Sequence, residues 1–479
     1  MPVVRSVPAA SVFRMTRATL LLLGLLICFT ACTTTRNTLF LEIDSSAQRG
    51  DFDGAINLLE ENERTLYTDR DGVLLHLDRG MLLHFAGRHR ESVLELQEAE
   101  RLIEEYFTLQ LRQAATSLLL NDTAMNYAGE DFEDIYLNVF NALSFLAMDD
   151  PQAAFVEIRR IDNKLNLLET KYRSLAAGFA SADQFGAPPP DPGDTRFYNS
   201  ALARYLSLVI YRSEGNRDSA RISFEQMENA FAEQRTLYPH SNPISSKSIE
   251  PTDGIPLSVI AFSGRSPIKR ASTLRIRTER NRVIVIVSQE DDLGLIPSTY
   301  LSFEFPVEAG YNFRFELPRM EMRGSEVTRI RVLANGQELG DVGLLEDMQR
   351  IAYETFQVSR PIVFVRSVVR ATLKGIAGQR AGRAMEEAGV ASGSAIGWLA
   401  GAIGSIATDI ALDQSEQADL RISRFFPAFA HAGEWALAPG TYRIEVEYLG
   451  PRGLLWRDDL GDVHIRPGSP NLVSSFFNG

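Results

Sequence analysis

The 479-residue sequence predicts an α+β multidomain chain. An N-terminal helical-repeat solenoid is followed by an antiparallel β-rich domain with a helical, glycine-rich insertion. Three observations point there. A short turn phrase recurs four times between residues 50 and 220. Period-two alternation of apolar and polar residues takes over near Leu257. An uncharged stretch carrying Gly389, Gly393, Gly397 and Gly401 then separates two groups of strands. The segments read as 1–31 signal, 32–38 tether, 39–238 helical repeats, 239–256 linker, 257–342 β-rich domain, 343–412 helical insertion and 413–479 closing strands.

Composition narrows the function classes. Charged residues make up 23% and the apolar set 45%, which excludes a wholly disordered or collagen-like chain. The net charge of −13 is opposite in sign to that of a typical nucleic-acid binder. The two cysteines, Cys28 and Cys32, both lie near the start, so nothing downstream forms a disulfide or a thiolate metal cluster.

Residues 1–17 contain Arg5, Arg14 and Arg17 and no acid, and Ala18 to Ala31 follow without a charge. A basic stretch before an apolar one of ~14 residues is a secretory signal, too short for an ordinary membrane span. Phe29-Thr30-Ala31-Cys32 resembles the lipobox of bacterial lipoproteins, with Phe29 where that pattern prefers leucine. The resemblance implies cleavage before Cys32 and lipid on its sulfur and amine. Thr33, standing where many inner-membrane lipoproteins have aspartate, implies an outer-membrane location facing the periplasm. A plain signal peptide or an uncleaved anchor is the alternative. Losing the three arginines takes the net charge from −13 to −16. The tether reaches ~20 Å, which keeps the folded body near the membrane.

The repeated phrase runs Gly50-Asp-Phe-Asp-Gly-Ala55, Gly87-Arg-His-Arg-Glu-Ser92, Asp149-Asp-Pro-Gln-Ala-Ala154 and Gly215-Asn-Arg-Asp-Ser-Ala220. It resembles the turn of tetratricopeptide repeats, where a glycine ends the first helix and a small side chain opens the second. Apolar pairs at helical spacing flank it: Gly80 and Leu83 with Leu96 and Ala99, Ala142 and Phe145 with Ile158 and Ile161, Leu208 and Tyr211 with Phe224 and Met227. The turns are 37, 62 and 66 residues apart, so extra helix is expected at Arg101–Leu120 and Asp162–Phe179. The proline-rich run Ala182–Thr195 reads as a loop. Such an array either grips a partner or serves as internal scaffold. Phe132, Tyr136 and Tyr198 either line a groove or belong to the core.

Strands are expected at Leu257–Phe262, Leu274–Arg277, Val283–Val287, Tyr300–Phe305, Tyr311–Leu317 and Val327–Val332, with Asn335-Gly336 as a hairpin turn. The loop Phe262–Arg270 carries Arg265, Lys269 and Arg270, either an anion site or a solvated tip. Leu344–Phe356 reads as a short helix and Ser359-Arg360-Pro361 as the start of another. From Arg360 to Arg383 there are six cations and no acid, and Arg366, Arg370 and Lys374 form a basic stripe four residues apart. That stripe either meets anionic lipid headgroups or pairs with acids elsewhere in the chain. The Gly389–Gly401 series allows close helix packing, either within the body or in a membrane or oligomer contact. Leu420–Ser423 and Ala438–Tyr448 read as more sheet, the latter completing the sheet begun near Leu257.

No GxSxG, GxGxxG, P-loop or HExxH motif occurs, and no catalytic, cofactor or metal residues are assigned. His84 and His89 lack an obvious third ligand, and Asp69 and Asp71 lack the rest of a calcium loop. Taken whole, the chain resembles a family of bacterial outer-membrane lipoproteins with N-terminal tetratricopeptide-like repeats. The resemblance rests on the Cys32 lipobox, Tyr211 to Ala220, Gly264 to Lys269, the glycine-rich stretch and Pro439-Gly-Thr-Tyr442. It implies a membrane-anchored scaffold holding an envelope protein through its repeats. A component of an oligomeric secretion or pore assembly and a peptidoglycan binder or hydrolase are the alternatives.

Overall fold

The structure is a computed structural model that describes residues 36–112, 122–182, 195–287, 300–304, 307–391 and 417–479. The protein is α+β, a helical region followed by a β-rich region with three sheets and one long helix. It divides into two compact units, 1–68 and 69–479. In the first, helix α1 covers residues 36–48, followed by α2 (Phe52–Glu61) and α3 (Glu63–Leu66). Asp51 caps α2 by accepting from the Gly54 amide at 3.0 Å.

The second unit opens with three helical hairpins. They are α4 (Gly72–Phe85) with α5 (His89–Arg112), α6 (Asp131–Ala147) with α7 (Pro151–Ala182), and α8 (Ala201–Ser213) with α9 (Arg217–Glu233). Each turns on a residue with left-handed backbone: Gly87 at φ 73°, Asp149 at 61° and Gly215 at 74°. In each turn the next amide reaches back five residues: Arg88 to Leu83, Asp150 to Phe145 and Asn216 to Tyr211, all at 2.9 Å. These bonds satisfy carbonyls that the ending helix leaves open. The small residues behind the turns, Ser92, Ala154 and Ala220, are buried. Ser92 Oγ donates to the Gly80 carbonyl at 2.8 Å, and a Cβ on Gly80 would sit 2.7 Å from Leu96. The flanking pairs are buried except Phe145 and Tyr211, which are half-buried. The extra helix takes the form of long second helices, 24 residues in α5 and 32 in α7, while residues 113–120 of the expected stretch lie outside the described residues.

Among the described residues, twelve strands form three four-stranded sheets. The first has the order β12 (Leu472–Phe477), β1 (Ile255–Ser263), β9 (Phe429–Leu437), β8 (Gly343–Asp347). The second runs β11 (Gly453–Ile465), β10 (Gly440–Gly450), β6 (Arg329–Ala334), β7 (Gln337–Asp341), and the third β4 (Tyr300–Glu304), β3 (Arg282–Val287), β2 (Ile268–Glu279), β5 (Asn312–Glu321). The first two pack face to face around Val259, Val332, Val446 and Tyr448. The third buries Leu274, Val285 and Phe315 against Val368 and Val369 of helix α10 (Met348–Ala391).

All six strands expected before residue 333 are present, and Asn335 and Gly336 both have positive φ. Several other expectations are corrected. The sheets are not wholly antiparallel, because β1 pairs with β12 in parallel. The strand at Gly440 joins β6 and β11; it is β9 that pairs with β1. Leu344–Asp347 belong to β8, where Leu345 and Glu346 are buried, and the helix begins at Met348 with the Arg350 amide bonded to Asp347 at 3.0 Å. Helical spacing from Leu344 through Met348 to Ile351 and Ala352 hid that boundary. Pro361 lies inside α10 rather than at a start. Proline there costs ~3 kcal/mol, outweighed because Val358 and Ile362 on either side are buried against Leu168 and Tyr172 of α7. Residues 417–428 form no strand; the Ser423 and Arg424 amides bond instead to the side chains of Glu133 and Asp78.

Candidate functional site

The first helices of the hairpins face the chain's own β-rich region. Helix α6 is buried along most of its length, Phe132 and Tyr136 included. Buried Glu346 of β8 accepts from Tyr238 Oη at 2.7 Å, Tyr136 Oη at 2.8 Å, Ser200 Oγ at 3.0 Å and the Leu202 amide at 3.1 Å. Burial raises its pKa above the usual carboxylate range. Arg212 of α8 holds Glu434 of β9 at 2.7 and 3.0 Å. Burial would raise Glu434, but that bidentate pair outweighs it and lowers the pKa.

The first turn of α6 carries Asp131, Glu133 and Asp134 just after Glu130, matching the positive end of the helix dipole. Three lysines from two other elements, α7 and β2, answer them. Lys164 lies 2.7 Å from Asp134, Lys171 2.7 Å from Asp131, and Lys269 of β2 pairs with Glu130. Glu133 accepts from Tyr127 Oη at 2.7 Å and the Glu130 amide at 2.7 Å. Burial, then the Glu130 charge, push its pKa up to about 7.

Each second helix keeps part of its surface open, and three of the exposed side chains share a position. Leu94, Val156 and Ile222 each stand seven residues after the turn residue of their hairpin, with 64%, 46% and 42% of their surface open. Large aliphatic side chains at one offset in three hairpins are a patterned exposure, unlike scattered surface leucines. Extending the turn alignment by two residues beyond Ser92, Ala154 and Ala220 would have found them. Tyr198 is also exposed and bonds to Glu233.

A cavity of about 170 Å³ opens between α5, α7, α10, the 122–130 connection, β2 and residues 419–421. Arg421 builds one wall, donating to the carbonyls of Asp122 at 2.9 Å and Met125 at 3.1 Å and to Asp419 at 2.7 Å. Tyr127 lies under two cations, Arg421 at 5.3 Å and Lys269 at 5.7 Å from its ring. Phe107, Leu175, Phe356, Ile362 and Val363 supply apolar wall. Arg366 and Arg370 of α10 turn inward on Asp122. Burial and then the neighbouring Arg370 charge lower the Arg366 pKa below the ordinary arginine value.

Of the residues singled out from sequence, Lys269 and Arg366 therefore meet at one cavity, with Arg370 beside it. Arg265 is half-buried, and Arg270 is exposed and bonds to Glu321 at 3.2 Å. Lys374 and Gly389 lie on α10. Cys32, Gly393, Gly397, Gly401 and most of the 182–195 loop fall outside the described residues. His84 is a core histidine, its ring bonded to Ser144 Oγ at 2.8 Å and its pKa lowered by burial to about 3. Asp71 accepts from Arg421 at 3.3 Å, while Asp69 is exposed. Among the described residues no group of three or more His, Cys, Asp or Glu side chains is placed to hold a metal ion. Among them, too, no helix is long and apolar enough to cross a membrane. Comparison with family models, curated proteins and solved structures finds no significant match to the chain.

Proposed function

We propose that the chain is a lipid-anchored scaffold of the bacterial envelope, carried by Cys32 at the periplasmic face of the outer membrane. Its hairpins are degenerate tetratricopeptide-like repeats, and the outward faces of their second helices hold a protein partner. The observation that carries this reading is the shared exposure of Leu94, Val156 and Ile222. The first helices support it from the other side. Their surface is occupied by Glu346, Glu434 and residues 417–426, so a partner docks on the second helices and not in a groove between the first ones. The β-rich region acts as the rigid backing of the repeats.

The test places a photo-crosslinking amino acid in turn at Leu94, Val156 and Ile222 of the lipidated chain in cells, with Arg329 and Arg457 of the sheets as exposed controls. One envelope protein captured from all three positions, missed by the controls and lost on Cys32→Ala, supports the scaffold. Self-crosslinks alone would replace it with an assembly of identical chains. No product specific to the three positions would remove the docking face.

A further inference from the structure

We propose that the cavity beside α10 binds a small organic monocarboxylate with an apolar or aromatic body, its carboxylate seated on Arg366. The polar end is defined by an unspent donor. Arg366 donates to Asp122 through one terminal nitrogen, while its Nε is buried without an acceptor. A guanidinium presents five N–H donors in a fixed fork and stays charged near neutral pH, so a carboxylate is the group that answers the unpaired Nε–H.

The apolar end lies on the same helix. Ile362 and Val363 precede Arg366 by four and three residues, which puts all three on one face, and Phe356 and Leu175 continue the wall. A ligand held at Arg366 thus lays its body back along α10. Size narrows the class: about 170 Å³ is close to the ~150 Å³ of a cavity that accepts benzene. Charge narrows it further. Lys171, Lys269 and Arg421 line the same space, but each is already paired with a carboxylate, Asp131, Glu130 and Asp419, so the lining offers a monoanion one partner and a phosphate dianion no second one. A free acid and the C-terminal carboxylate of a peptide ending in an apolar residue present this same chemistry.

The full-length protein in detergent is titrated calorimetrically with benzoate, benzamide, inorganic phosphate, and the peptide acetyl-Ala-Ala-Phe with a free or an amidated C-terminus. Saturable binding of benzoate or of the free-acid peptide is expected, at least about tenfold weaker for the matching neutral amide and for Arg366→Gln. The tighter of the two acids identifies the source. Val363→Trp, which fills the apolar end and leaves Arg366 in place, is expected to abolish binding and keeps the test decisive should Arg366→Gln fail to fold. Equal binding of acid and amide, displacement of benzoate by phosphate, unchanged affinity in either folded variant, or no heat with either acid at millimolar concentration would each overturn the assignment.

Discussion

Replacing Glu346 by alanine removes the one carboxylate that four buried donors share. Tyr238 has a fallback in the Asn199 carbonyl at 3.4 Å, whereas Ser200 Oγ still accepts from the Ala203 amide but loses the acceptor for its own hydrogen. Tyr136 Oη and the Leu202 amide lose the acceptor they use. Each stranded buried donor costs ~1–3 kcal/mol, and removing the buried charge returns part of its desolvation. The net expectation is a loss of about 3–5 kcal/mol for Glu346→Ala and about 1–2 kcal/mol for Glu346→Gln, which keeps one acceptor oxygen. Urea unfolding measures this, with tryptophan fluorescence reporting the sheets through Trp435 and Trp456 and circular dichroism reporting the helices. Both signals are expected to move together to lower urea, because Glu346 joins β8 to α6 and α8. A Glu346→Ala unfolding free energy within about 0.5 kcal/mol of the parent would refute the claim that this carboxylate couples hairpins to sheet.

Glu133, with its folded pKa raised to about 7, holds its proton more tightly in the native state than in the unfolded chain. Its contribution is therefore fully present below about pH 4.5 and is lost as pH rises through 7, on the order of 3 kcal/mol. Glu133→Gln is expected to flatten that part of the stability–pH profile in unfolding measured at pH 5, 6, 7 and 8. Gly264→Ala, at φ 71° with the new Cβ 2.8 Å from Ala428, is expected to lose ~2–4 kcal/mol in the same assay. Gly215→Ala, at φ 74° in open space, loses only the backbone cost of ~1–2 kcal/mol. Ser92→Ala gives up the bond to the Gly80 carbonyl and is expected to cost about 1 kcal/mol.

The turns at Gly87 and Gly215 were legible because a left-handed residue at a helix end leaves a local mark, and glycine carries it. Asp149 takes the same conformation with a side chain attached, and only the neighbouring Pro151 and Ala154 make that turn readable. Alternation displayed β2 and β5 because each has one wet face. The start of α10 was hidden for the opposite reason. Leu345 is buried within β8 at a spacing that also suits a helix, and the energy that carries the helix past Pro361 comes from α7, some two hundred residues earlier. The site was legible only as residue types. Lys269 and Arg366 stood out as cations, but their partners Glu130 and Asp122 lie 139 and 244 residues away in sequence. Nothing short of the fold pairs them.

Strand β1 is bordered by β9 and β12, both made within the last fifty or so residues of the chain. Synthesis delivers β1 more than 160 residues before either neighbour exists, and the hairpins that pack on this region are finished earlier still. During that interval the apolar sides of α4, α6 and α8 have no sheet to cover them, and β1 presents two open edges. The nascent chain thus spends its longest stage as a helical array with a bare inner surface. It closes only when the final strand arrives, in parallel, beside one of the earliest. Deleting Leu472–Phe477 would leave the β1 edge from Ser258 to Ser263 without its parallel neighbour.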